Sequence, residues 1–218
     1  MNRIISLSTV IVLLGAACGG DGGDNLGGGT QTLFVDARID KEGDTAFFEI
    51  DVERNQLPVD DAIVLMRTSF GDYTVPLDVN RNGRYVGGQN GWAASYYIRV
   101  DAGADWLDGS IGSPDSAELV EPDPLVTIVL PADPNVDVLF RWSGQPAELV
   151  RINTRNFTWE GTDVGQRGVP SRSFTDCMDN VDLRRTRDVT LVGGTVGSRI
   201  RARVTTSTDI TVALPACP

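Results

Sequence analysis

Residues 33–53 read LFVDARIDKEGDTAFFEIDVE. Leu33, Val35, Ala37 and Ile39 alternate with Asp36, Arg38 and Asp40. Ala46, Phe48, Ile50 and Val52 then alternate with Phe47, Glu49, Asp51 and Glu53. A period of two with one polar face is the pattern of half-buried antiparallel strands. The KEGD segment between them supplies turn formers, so the stretch predicts a hairpin.

The same period spreads outward. Residues 62–66 are a continuous apolar run, which predicts a central strand. Tyr73, Val75 and Leu77 alternate, and Asn82-Gly83 is a two-residue hairpin signal. Tyr96, Ile98 and Val100 face one way, while Tyr97, Arg99 and Asp101 face the other. Residues 103–124 lose the period and gather Gly, Pro and Asp, which reads as a long loop or domain linker. Beyond it, Val136, Val138, Phe140 and Trp142 alternate. Residues 149–152, 157–159, 189–192, 200–204 and 210–214 read as further strands, with a turn at Gly193-Gly194. No stretch sustains helical spacing. The expected fold class is all-β, with short strands and frequent turns of the kind found in sandwiches.

The N-terminus has a different logic. Arg3 is the only charge before Asp21, and residues 4–14 are an apolar run interrupted by Ser6, Ser8 and Thr9. A basic start, a short apolar core and small residues make an export signal, too short to span a bilayer, which needs about 20 residues. Gly15-Ala16-Ala17-Cys18 resembles the lipobox of bacterial lipoproteins, with Gly15 standing where that family usually has Leu. The resemblance implies a signal peptide over residues 1–17 and a lipidated Cys18. Residues 18–30 follow as a flexible glycine-rich linker, since residues 19–29 hold seven glycines and no aromatic or β-branched residue. Gly19, rather than Asp, follows the cysteine, which by the same resemblance implies the outer membrane. The partner this predicts is a membrane reached through the lipid anchor.

Two tandem immunoglobulin-like β-sandwich modules are expected after the tether. Residues 31–122 resemble immunoglobulin-like or carboxypeptidase-regulatory-like sandwiches through YTVPLDVNRNGRYVGG and YYIRVDAG. Residues 123–218 resemble fibronectin-III-like modules through DVLFRWSG and the terminal hairpin GSRIRARVTTSTDITVAL.

Composition narrows the chemistry. The chain has 218 residues, a net charge of −11 and no histidine. Residues 1–150 carry 9 Lys+Arg against 23 Asp+Glu, whereas residues 151–218 carry 10 against 7. The acidic body repels phosphate, so nucleic acid is not an expected partner. Without histidine there is no Ser-His-Asp or Cys-His catalysis and no histidine-bound zinc. An enzyme is not expected, and neither is a cofactor; a hydrolase working through aspartates alone is the remaining catalytic alternative. Cys177 and Cys217 are the two cysteines other than Cys18, and an exported chain favours one disulfide between them over two free thiols. Closing that loop contributes roughly 4 kcal/mol in the chain-entropy view.

Several groups are candidates for binding. Arg199, Arg201 and Arg203 alternate with Ile200, Ala202 and Val204, which puts three guanidinium groups on one strand face. Arg184, Arg185 and Arg187 are expected to lie near this ladder in the fold. Such a ladder suits a sulfated or phosphorylated glycan, or the acidic first module, by bidentate pairing; the alternative is a solvated face paired with Asp179, Asp182 and Asp188. Trp92 and Trp106, the latter in DAGADWLDG with Asp101, Asp105 and Asp108, offer indoles for stacking on sugars. Asp78, Asn80 and Asn82 match the first half of a calcium loop, but the twelfth position is Gln89, so a turn competes with a metal site. The expected role is binding or scaffolding in the cell envelope, with a glycan or an envelope protein as partner.

Overall fold

The computed structural model describes residues 32–215, and strands dominate them. Strands β1 (Leu33–Glu42) and β2 (Thr45–Arg54) form the expected hairpin, paired from Leu33↔Arg54 to Glu42↔Thr45. Every residue predicted to face inward on these strands is buried. The tight turn between them places Gly43 at φ +58°, a conformation glycine adopts without strain.

A nine-stranded sheet is built around that hairpin. Its order runs β13 (Thr158–Thr162), β12 (Leu149–Asn153), β15 (Met178–Thr190), β16 (Arg199–Ala213), β1, β2, β3 (Leu57–Pro58). Strand β6 (Arg84–Asn90) also pairs with β2, and β10 (Ile128–Val129) with the end of β16. A four-stranded sheet, β5 (Gly71–Val75), β4 (Ile63–Thr68), β7 (Ser95–Ala102) and β8 (Asp105–Gly112), covers one end. A three-stranded sheet, β14 (Gln166–Pro170), β11 (Asp137–Trp142) and β9 (Leu119–Glu121), covers the other. No α-helix occurs among the described residues; the nearest is a single 3-10 turn at Ser171–Ser173.

Two apolar cores result. In the first, Val35, Phe48, Ile50 and Ile200 of the large sheet meet Val64, Met66, Ile98 and Leu107 of the four-stranded sheet. Isolated bridges, Leu77↔Tyr85 and Asp108↔Val192, connect its two layers. In the second, Val150, Ile152, Val181, Leu183 and Ile210 meet Phe140, Trp142 and Val169. The β15–β16 ribbon backs both. Its strands have 13 and 15 residues, so it runs about 50 Å at strand rise. Leu191, Ile200 and Ala202 therefore belong to the first core although they lie far beyond residue 122. The large sheet runs across the boundary expected at residue 122: β1 pairs in parallel with β16 from Asp36↔Arg199 to Lys41↔Val204.

Three expectations need correction. Residues 103–124 are not one loop, because β8 occupies Asp105–Gly112 and pairs with β7 along its whole length. Its glycines and aspartates are used for packing. Gly109 leaves the space that Leu191 fills, since a Cβ there would meet Leu191 Cδ2 at 2.5 Å. The segment GSRIRARVTTSTDITVAL does not turn back on itself. Residues 205–209, TTSTD, continue β16 because each pairs with β15, from Thr205↔Arg184 to Asp209↔Asn180. Asn82-Gly83 sits where the chain crosses between sheets rather than in a hairpin of one sheet. The Asp78 amide donates to Arg84 O at 2.7 Å there. Gly83 has φ +69°, and a Cβ would meet Val52 O at 2.8 Å, so glycine is required at that crossing. The sequence reading also had no strand at β14 and only the last part of β15.

Candidate functional site

The arginine ladder faces outward on β16 as expected, but its partners come from β1. Parallel pairing sets Asp36 opposite Arg199 and Asp40 opposite Arg203. Arg199 Nε and Arg201 Nη2 lie 3.3 and 2.7 Å from Asp36 Oδ1, and Arg203 donates two hydrogen bonds of 2.6 Å to Asp40. The pattern continues across the sheet. Arg38 reaches Asp40 at 3.0 Å and Glu49 at 2.6 Å; Arg84 reaches Asp51 at 3.0 Å and Glu49 at 3.3 Å. Of the acids first considered, Asp188 alone approaches the ladder, 3.9 Å from Arg199. Asp179 instead accepts from the amides of Arg155 and Asn180, and Asp182 accepts from Ser207 Oγ. The ladder is thus matched by the acids of β1, and its cations are already neutralised.

Asp36 carries a pH signature. Burial opposes its charge, but the hydrogen bonds from Arg199 and Arg201 and their positive charges outweigh that and lower its pKa. A carboxyl lowered on folding contributes stability above its unfolded pKa of about 3.9 and loses it as pH falls through the folded value. Asp36→Asn is therefore expected to cost up to about 1 kcal/mol near pH 6, as for partly exposed pairs. The difference from the parent should vanish in urea titrations near pH 2. A gap that persists unchanged at low pH would contradict the ion-pair origin.

The two indoles do not share a groove. Trp92 packs on the first core, its ring 5.4 Å from Tyr96, with Nε1 donating to Pro114 O at 3.4 Å. Trp106 lies on the outer face of the four-stranded sheet, where the Arg99 guanidinium sits 4.9 Å from its ring. The tryptophans are on opposite faces of that sheet. Nor do the aspartates near Trp106 converge: Asp101 takes two bonds from Arg99, Asp105 pairs with Arg54 at 3.2 Å, and Asp108 accepts from Tyr97 Oη at 2.7 Å.

Asp78 Oδ1 accepts from the Asn80 amide at 2.9 Å and from Asn80 Nδ2 at 3.3 Å, an Asx turn. Gln89 is on β6, its Oε1 accepting from Thr68 Oγ1. Among the described residues, no three Cys, Asp or Glu side chains gather as metal ligands. No helix there is long and apolar enough to cross a membrane. Cys18 and Cys217 lie outside the described residues; Cys177 precedes β15, with its carbonyl accepting from the Val212 amide at 2.9 Å.

Sequence reading set Arg185 beside the outward ladder, but among the described residues it is the largest fully buried side chain. Arg185 is 0 % exposed and continues the inward row of Val181 and Leu183 on β15. Its Nε lies 2.7 Å from Asp163 Oδ2, while its Nη1 and Nη2 donate to Ser116 O at 3.2 Å and Gly144 O at 3.3 Å. Asp163 also accepts from Trp142 Nε1 at 2.9 Å and from the amides of Ala147 and Gly165. Burial works against the Asp163 charge, yet these donors and Arg185 outweigh it and hold its pKa below the ordinary value. The signal was present: an arginine at an inward position of an alternating strand needs a buried acid.

No protein-family model matches this chain, and no curated protein matches it. The class of protein that the structure defines is all-β, with two apolar cores shared by one long ribbon.

Proposed function

We propose that this is a lipid-anchored protein of the Gram-negative cell envelope, held at the outer membrane through Cys18, which acts by binding or scaffolding rather than by catalysis. The observation that carries the reading is Gly15-Ala16-Ala17-Cys18 at the end of a short apolar run, followed at once by the glycine tract. Small residues suit a signal-peptidase cleft, and the glycine tract keeps the anchor from constraining the folded part. One acyl chain binds a membrane reversibly, and two or more hold it durably. The outward charge grid leaves the ladder arginines paired, so the proposed binding does not use them as free cations. Within the same reading, the two cores correspond to immunoglobulin-like and fibronectin-III-like sandwiches, and Cys177 pairs with Cys217.

The test is labelling of cells with a fatty-acid analogue, followed by mass spectrometry of the purified chain. The expected product begins at an acylated Cys18 and is two hydrogens lighter than its reduced form. Cys18→Ser should take no label and keep the apolar N-terminus. An unacylated Cys18 in the mature product overturns the anchor, and two alkylatable thiols at Cys177 and Cys217 overturn the bridge.

A further inference from the structure

On the outer face of the large sheet two arginines differ from all the others. Arg151 on β12 and Arg184 on β15 stand directly opposite each other in an antiparallel pair. Directly opposed like charges destabilise a sheet. Arg199, Arg201, Arg203, Arg38 and Arg84 on the same face each have a carboxylate within 4.0 Å. Among the described residues neither Arg151 nor Arg184 has one. Glu160 is Arg151's neighbour on β13 but forms no ion pair with it, and Arg184 Nε donates only to Thr205 Oγ1, at 3.2 Å. Both residues are partly buried, and with Asn153 and Asp182 they line a cleft of about 110 Å³.

We infer that this cleft binds a phosphate or sulfate ester carried on a hydroxyl-rich molecule such as a sugar. Two guanidinium forks on adjacent strands suit a tetrahedral oxyanion, which would relieve the repulsion between them. The carrier follows from the surroundings. Asp182 is turned toward β16 by its bond from Ser207 and offers carboxylate oxygen to a ligand hydroxyl. Next to it opens a larger cleft of about 560 Å³, lined by Asn153, Thr154, Asn156, Thr158, Asp179 and Asn180 among others. Amides, hydroxyls and carboxylates are what sugar hydroxyls pair with, and Phe157 is the one apolar side chain lining it. The inference does not depend on Cys18 and goes beyond the envelope reading: it relocates anion recognition from the neutralised Arg199–Arg203 ladder to a pair of strands away.

Titration calorimetry on the purified full-length chain tests it, with glucose 6-sulfate, glucose 6-phosphate, glucose and sodium sulfate as probes at matched ionic strength. Saturable binding of a sugar ester is expected, tighter than that of sodium sulfate or glucose. Arg151→Gln and Arg184→Gln should each weaken it about tenfold or more, as for a charged hydrogen bond lost. Arg99→Gln, on the other sheet, should leave it unchanged. Both cleft variants should melt no lower than the parent without ligand, because each removes a like-charge contact. Absence of saturable binding, binding equal for sulfate and its sugar ester, or binding undiminished in both variants would overturn the assignment.

Discussion

Arg185→Met is expected to lower unfolding stability by about 3–5 kcal/mol, the range found when one member of a buried ion pair is removed. The side chain is 0 % exposed and its three donors go to Asp163, Ser116 O and Gly144 O. Methionine keeps an unbranched apolar stem but is two atoms shorter and has no donor. Asp163 would remain buried with its strongest partner gone, and two backbone carbonyls would lose theirs. The loss should exceed that from an ordinary core truncation nearby because it also frees the connections at 114–118 and 143–147 that Arg185 holds against the sheet. Lysine should not rescue, since one ammonium cannot reach three acceptors spread across a planar fork. Urea unfolding of Arg185→Met and Arg185→Lys is the measurement. A loss under about 1 kcal/mol would show that Asp163 is satisfied by Trp142, Ala147 and Gly165 alone.

Phe48→Ala should cost about 3–5 kcal/mol, as for a fully buried aromatic ring. Phe48 sits in the first core with its ring 5.8 Å from Tyr73 and 6.0 Å from Tyr96. The sharper expectation concerns where the loss is felt. The same two strands back both cores, so damage to the first should lower the unfolding midpoint of the second. Trp92 reports on the first core and Trp142 on the second. With Trp106, Trp159 and either Trp142 or Trp92 changed to Phe, single-tryptophan variants can follow each site separately. Coincident midpoints, shifted together by Phe48→Ala, mark one cooperative unit. If Trp142 unfolds at its original urea concentration while Trp92 shifts, the cores are energetically independent and the ribbon transmits nothing.

Alternation made much of this legible. The inward rows of β1, β2, β7 and β16 could be named in advance because one apolar face meets a core and the other meets water. The reading failed where burial was achieved differently. In β8, Asp105 and Asp108 are buried by partners far away in sequence, and Gly109 is buried as empty space for Leu191. Local pattern carries no trace of such neighbours. In β16, Thr and Ser between residues 205 and 208 resemble turn formers, but strand pairing with β15 decides. The arginine ladder was visible as a face, and pairing with the acidic first module was among the options weighed; what no spacing rule could supply was that β1 runs parallel beside it. The Arg151–Arg184 pair is likewise a product of register between strands more than thirty residues apart in sequence.

That parallel contact also orders events in time. Asp36 and Arg199 are separated by 163 positions, so the earliest strand of the folded part waits for one of the last. During synthesis β1 and β2 can meet at once, but the hairpin has an unoccupied edge until β16 emerges. Large sequence separation slows closure, and a waiting strand edge invites pairing with other chains. Folding of this protein should thus be limited by completion of its C-terminal ribbon, and chains cut short before residue 199 should aggregate through β1.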